Sequence, residues 1–135
     1  MTTSAKGALA CAKLDQRALE KGATVSVPLH EVRYDRIVDW NGHLYRVQVK
    51  YCDRGGSHSG GSVLVHLQSF GHGRLLSDGY DPSEVDAVVV YIPNGDRLCW
   101  LSPDLFTGRS TLTLRLVPPK NGQIESVRYA DDYLW

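Results

Sequence analysis

Three residues of this 135-residue chain, Asp35, Gln48 and Lys50, have the types and spacing from which a reactive site could be built. They flank Asn41-Gly42 in RYDRIVDW-NG-HLYRVQVKY, a dipeptide suited to a type I′ turn because both of its central positions need positive φ. Counting outwards from a two-residue loop sets Trp40 opposite His43, Val38 opposite Tyr45, Arg36 opposite Val47 and Asp35 opposite Gln48. Cross-strand partners share a face, and side chains alternate with period two. Asp35, Gln48 and Lys50 are therefore expected on one side of a sheet, with Tyr34, Val38, Tyr45, Val47 and Val49 on the more apolar side. A carboxylate, an amide oxygen and a lysine on one face can hold a metal ion and act on a phosphate. On alternation alone, a solvated strand face with a cross-strand ion pair fits the same residues.

The elements that must position this trio can be read around it. Residues 5–21 are rich in Ala, Leu, Lys and Gln and read as a first helix, with Ser4 as its cap and Gly22 just past its end. Cys11, Leu14 and Ala18 form one core-facing stripe, and Leu9, Ala12 and Leu19 a second, which predicts burial over a wide arc. Thr24 to Pro28 reads as a short strand before the hairpin. After it, CDRGGSHSGG is loop by composition, Val63 to Phe70 alternates as a strand, and 71–81 is irregular. VDAVVVYI at 85–92 is a nearly continuous apolar run, expected of a central strand covered on both faces. Asn94-Gly95 turns into a strand at 97–101, Pro103 opens a one-turn helix, and 111–117 alternates as a last strand. The expected fold is an α/β (α+β) single domain over residues 1–135, built on a mixed sheet.

Bulk properties narrow the class of function. With 42% apolar and 22% charged residues the chain has the composition of a soluble globular domain. Neither an apolar run of membrane-spanning length nor a signal-peptide core is present, so a cytoplasmic, nucleoid-associated protein with no membrane partner is expected. Three cysteines without metal-ligand spacing fit a reducing compartment. Fifteen basic residues balance fifteen acidic ones, which argues against a charge-driven nucleic-acid binder. A nuclease needs its cations gathered on only one surface.

The pattern KG-x-x-A-x-A-K…RYD-x-IVD-x-NG-x-LYRVQVK, followed by VDAVVVY and LRLVPPKN, resembles the PD-(D/E)XK nuclease superfamily. Within it, the chain is most similar to the small group I intron-encoded homing endonucleases, which resemble archaeal Holliday-junction resolvases. The resemblance implies a restriction-endonuclease-like sheet flanked by helices and a DNA endonuclease that uses Mg²⁺, with Mn²⁺ as a substitute. It implies Asp35 as the main metal ligand, Gln48 in place of the more frequent glutamate, and Lys50 as the group that aligns water or stabilises charge. The backbone of Val49 could add a further oxygen. Relatives supply a helix glutamate in G-x-x-A-E, where this chain has Cys11. Thiolate is soft and cannot replace that carboxylate for Mg²⁺. The resemblance thus leaves two alternatives beside the homing-type nuclease: a junction resolvase, or a DNA-binding protein whose site has weakened. Cleavage of both strands implies double-stranded DNA as partner and a homo-oligomer, dimer or tetramer.

Arg54, His58, His72 and Arg74 lie in loop-like segments beside the proposed site, where DNA contacts are expected. His58, His66 and His72 match no zinc spacing. Asp86 reads as a strand-end aspartate paired with an arginine, and Cys11 as a small buried helix residue. The 85–92 strand and the aromatic tail are the expected assembly surfaces.

Overall fold

The computed structural model describes residues 1–55, 60–71, 74–77, 79–119, 121–123 and 125–135; for 69–71 and 74–77 only the backbone is described. The first helix, α1, spans Thr3–Glu20. Its cap is Thr2 rather than Ser4: the Thr2 hydroxyl accepts the Ala5 N–H at 3.1 Å. Gly22, at φ +80°, ends the helix as the sequence predicts, because the left-handed region carries no penalty without a Cβ. The buried line runs through Ala10, Leu14 and Ala18, a step of four, while Ala12 and Leu19 are exposed. The helix therefore buries a narrower stripe than expected, with Cys11 at its margin.

The strands are β1 (Thr24–Ser26), β2 (Arg36–Trp40), β3 (His43–Tyr51), β4 (Ser62–His66), β5 (Ser69–Gly71), β6 (Arg74–Ser77), β7 (Ala87–Ile92), β8 (Arg97–Leu101) and β9 (Thr111–Arg115). A four-residue helix, α2 (Pro103–Phe106), and a 3₁₀ turn at Ala130–Tyr133 complete the elements. The main sheet has the order β1-β2-β3-β7-β8, with β3 and β7 parallel and the other neighbours antiparallel. Two ribbons stand apart, β4 with β9 and β5 with β6. The expected Val63–Phe70 strand is thus two strands, and part of the segment read as irregular pairs with β5 as β6. So short a pairing leaves no periodicity in the sequence to read.

Two cores lie on opposite faces of the main sheet. Val38, Val47, Val49, Ala87 and Val89 pack with Ala10, Leu14 and Ala18 of α1. Val88, Val90, Ile92 and Leu101 pack with Val63, Val65, Leu112 and Leu114 of the β4–β9 ribbon and with Phe106 of α2. All six residues of β7 are buried, so the central-strand expectation holds and its use as an assembly surface does not. A strand covered on both faces has no side left for a partner. In the tail, Trp135 is buried against Trp40 and Trp100, ring centroids 5.3 and 4.9 Å away, and its backbone N–H donates to the Leu98 carbonyl at 3.0 Å, while Leu134 beside it is exposed. Exposed apolar side chains also gather after β1, at Val27, Leu29 and Val32. Phe106 is the largest of the fully buried side chains. Phe106→Ala is expected to cost about 3–5 kcal/mol, read as a lower urea midpoint with unchanged slope.

Candidate functional site at the start of β2

The hairpin register is the expected one from Trp40–His43 down to Arg36–Val47. Beyond Arg36 it departs. The Asp35 N–H bonds the Val47 carbonyl at 2.9 Å, so Asp35 and Arg36 both address Val47. Two residues facing one is the arrangement of a β-bulge, which re-aims a side chain. The Asp35 side chain accordingly turns along the edge of β3, where its Oδ2 accepts the Val49 N–H at 2.9 Å. The strict pairing of Asp35 with Gln48 is thus replaced by a contact with the residue between Gln48 and Lys50. Asp35 Oδ1 takes no hydrogen bond among the described residues.

Gln48 and Lys50 alternate with the buried Val47 and Val49, so both face away from α1. Lys50 lies with its ammonium 5.2 Å from the centroid of the buried Tyr80 ring. The guanidinium of Arg33 lies 4.6 Å from the same centroid and donates to the Gly79 carbonyl at 3.0 Å. Tyr80 therefore holds two cations through the negative face of its ring. Neither Arg33 nor Tyr80 was expected in the site; Tyr80 comes from a segment read as irregular, and Arg33 precedes the RYD motif's aspartate by two residues.

Lys50 also lines a cleft of about 480 Å³ with Lys6, Arg54 and His66 among its walls. Lys6 pairs with Asp53 at 2.6 Å and lies over the Tyr51 ring. Of the expected DNA contacts, Arg54 is exposed at this cleft. His58 and His72 lie outside the described residues, and the side chain of Arg74 does too; its backbone forms part of β6.

On the helix side, Cys11 is half-buried with its thiol pushed up, first by burial and then by the negative charge of Asp35. The charge of Asp35 thus reaches α1 at Cys11. Arg36 closes one guanidinium edge, Nε and Nη2, on the two carboxylate oxygens of Asp15 of α1, at 2.9 and 3.2 Å, while its Nη1 donates to the Asp35 carbonyl, which ties the helix to the bulge. Cys52 and Cys99 are buried, their thiols pushed up to about 11 and about 12, chiefly by burial. Native alkylation is therefore expected at Cys11 alone. The reaction should be slow near neutral pH and accelerate as pH rises past the free-thiol range, about 8.5. Asp35→Asn removes a charge that opposes ionisation, so Cys11 should label faster at a given pH in that variant.

Asp86 is not part of the site. It takes Arg46 in a two-pronged pair at 2.9 Å, as the sequence reading expected. Tyr45 and Tyr51 pack against the α1-side core, also as expected. No group of three His, Cys, Asp or Glu able to hold a metal occurs among the described residues, so a cation would rely on amide and carbonyl oxygens beside the one carboxylate. No described helix is long and apolar enough to cross a membrane.

The model of the PD-(D/E)XK endonuclease family matches residues 1–135. No curated protein matches the sequence. Among solved structures, the bacterial homing endonuclease I-Ssp6803I is similar in fold, with a TM-score of 0.77 at 24% identity, covering 99% of this chain and 89% of that one.

Proposed function

The chain belongs to the PD-(D/E)XK endonuclease family and is a DNA endonuclease; on that premise we propose that it hydrolyses phosphodiester bonds at the β2–β3 bulge with a divalent cation. The observation that carries the reading is the Asp35 carboxylate bonded to the Val49 N–H, at the strand position between Gln48 and Lys50. Asp35 Oδ1, the Gln48 amide oxygen and the Val49 carbonyl are hard oxygen donors, which suit Mg²⁺ or Mn²⁺ and not a thiophilic metal. A cation so held would neutralise charge on the scissile phosphate and favour ionisation of the attacking water.

The chain's own residues supply the rest. Lys50, held at the Tyr80 ring, stabilises the negative charge that grows on the phosphoryl oxygens and orients the attacking water. Arg33, on the same ring, adds a second positive charge to the same region. Lys6 and Arg54 in the adjoining cleft anchor the flanking phosphates of the strand being cut. Cutting both strands of a duplex calls for two such sites, so a homo-oligomer, dimer or tetramer, is the working assembly. A weakened site is the second reading, and Cys11 beside Asp35 favours it.

Supercoiled plasmid incubated with Mg²⁺ or Mn²⁺ tests the proposal. Nicking or linearisation that EDTA abolishes and Asp35→Ala removes is the expected result. An activity equal in wild type and Asp35→Ala would refute it.

A further inference from the structure

We propose that the solvent face of the β4–β9 ribbon reads base sequence from the major groove of the duplex whose phosphate reaches Lys50; this rests on the endonuclease reading above. The ribbon is amphipathic in a strict way. Val63, Val65, Leu112 and Leu114 point into the core, whereas His66, Thr111 and Thr113 are exposed and Leu64 is half-exposed. The register sets Leu64 against Thr113 and His66 against Thr111, so these four side chains form one outward patch. Both ends of the ribbon are tied down: Leu64 N–H to the Arg54 carbonyl at 2.9 Å, Leu67 N–H to Ser110 at 2.8 Å and Leu116 N–H to Gly61 at 2.7 Å. A rigid platform is what base readout needs.

Its surroundings commit it to a nucleic acid. One edge, at Leu64 and His66, walls the cleft that holds Lys50, Lys6 and Arg54. The other, at Thr113, walls a second cleft of about 550 Å³ that includes Arg115 and Arg128. Among the described residues the two clefts together contain a single carboxylate, Asp53, already paired with Lys6. A tract with cations at both margins and hydroxyl, imidazole and methyl groups between them is complementary to a duplex with phosphates on both sides of a groove. Five residues span about 17 Å at about 3.4 Å each. A two-stranded ribbon of this kind enters a major groove about 12 Å wide. Threonine and leucine methyls suit the thymine C5-methyl, while threonine hydroxyls and the His66 ring can bond base edges. The chain's net charge of zero keeps the sequence-independent attraction low, which raises the share of discrimination carried by base contacts.

Cleavage of a randomised duplex library, with the uncut and cut pools sequenced, tests this. Wild type is expected to favour a motif with thymines. Thr113→Ala and His66→Ala, both at exposed positions, should reduce discrimination at separate positions about tenfold. Lys6→Ala should lower cleavage of all sequences alike. Replacing thymine by deoxyuridine in the favoured duplex should weaken wild type more than Thr113→Ala. A wild type that cuts selectively, with its preference untouched in both ribbon variants, overturns the ribbon proposal and leaves the endonuclease reading standing. Cutting without any preference overturns it as well. A wild type that cuts no DNA at all overturns the endonuclease reading, and the ribbon proposal with it.

Discussion

Lys50→Ala is expected to lower the rate of DNA cleavage about 10²–10³-fold, the loss that follows removal of one preorganised charge-stabilising donor. The ammonium has no ion-pair partner among the described residues and lies against a buried tyrosine ring at the mouth of the cleft. Its loss therefore removes a positive charge at the reacting phosphate without leaving a buried carboxylate unpaired. Stability should stay within about 0.5 kcal/mol of wild type, since no core contact is lost. Binding should weaken only modestly, with the salt slope of log K reduced by about one unit for one phosphate contact. A large fall in rate with a small change in affinity is the signature of an interaction made mainly in the transition state. Lys50→Arg keeps the charge but adds a planar fork that the Tyr80 contact does not match, so partial activity is expected. Single-turnover cleavage with saturating protein, beside a filter-binding isotherm, separates the two effects.

Cys11→Glu is expected to act in the opposite direction. A carboxylate at this helix position would face Asp35, whose charge already bears on the Cys11 thiol. Two carboxylates at one locus bind a divalent cation more tightly than one, so the Mg²⁺ concentration at half-maximal cleavage should fall about tenfold or more. In the absence of metal the same pair repels and is partly buried, so the variant should be less stable than wild type by about 1 kcal/mol. The two effects share one cause and should therefore be linked: MgCl₂ should raise the melting temperature of the variant more than that of wild type. Cys11→Ala provides the control, with neither the lowered metal requirement nor the metal-dependent stabilisation. Equal Mg²⁺ titrations for wild type and Cys11→Glu would place the helix residue away from the cation.

The hairpin was legible because turn chemistry fixes register: Asn41-Gly42 set the pairing from Trp40–His43 to Arg36–Val47. The bulge at Asp35 was not, since alternation cannot reveal where two residues will face one. That single irregularity changes the geometry from three side chains on one face to a carboxylate at the strand edge between two outward-facing residues. The buried stripe of α1 was legible only in part, as nothing in the helix distinguishes Cys11 from Ala10 one step away, which is the buried one. Arg33, Tyr80, Lys6 and His66 join the site through tertiary contacts across up to 60 positions of sequence, for which no local pattern exists. The apolar run at 85–92 correctly announced a central strand. Reading it also as an assembly surface conflicted with the same observation, because continuous burial consumes both faces.

Diffraction from crystals grown with Mn²⁺, read through its anomalous signal, tests the central claim most directly. The predicted result is an ion at about 2.1 Å from a carboxylate oxygen of Asp35, with the Gln48 amide and Val49 carbonyl oxygens in the same coordination shell. An ion bound elsewhere, or a well-ordered Asp35 whose Oδ1 carries no ion at saturating Mn²⁺, would contradict it.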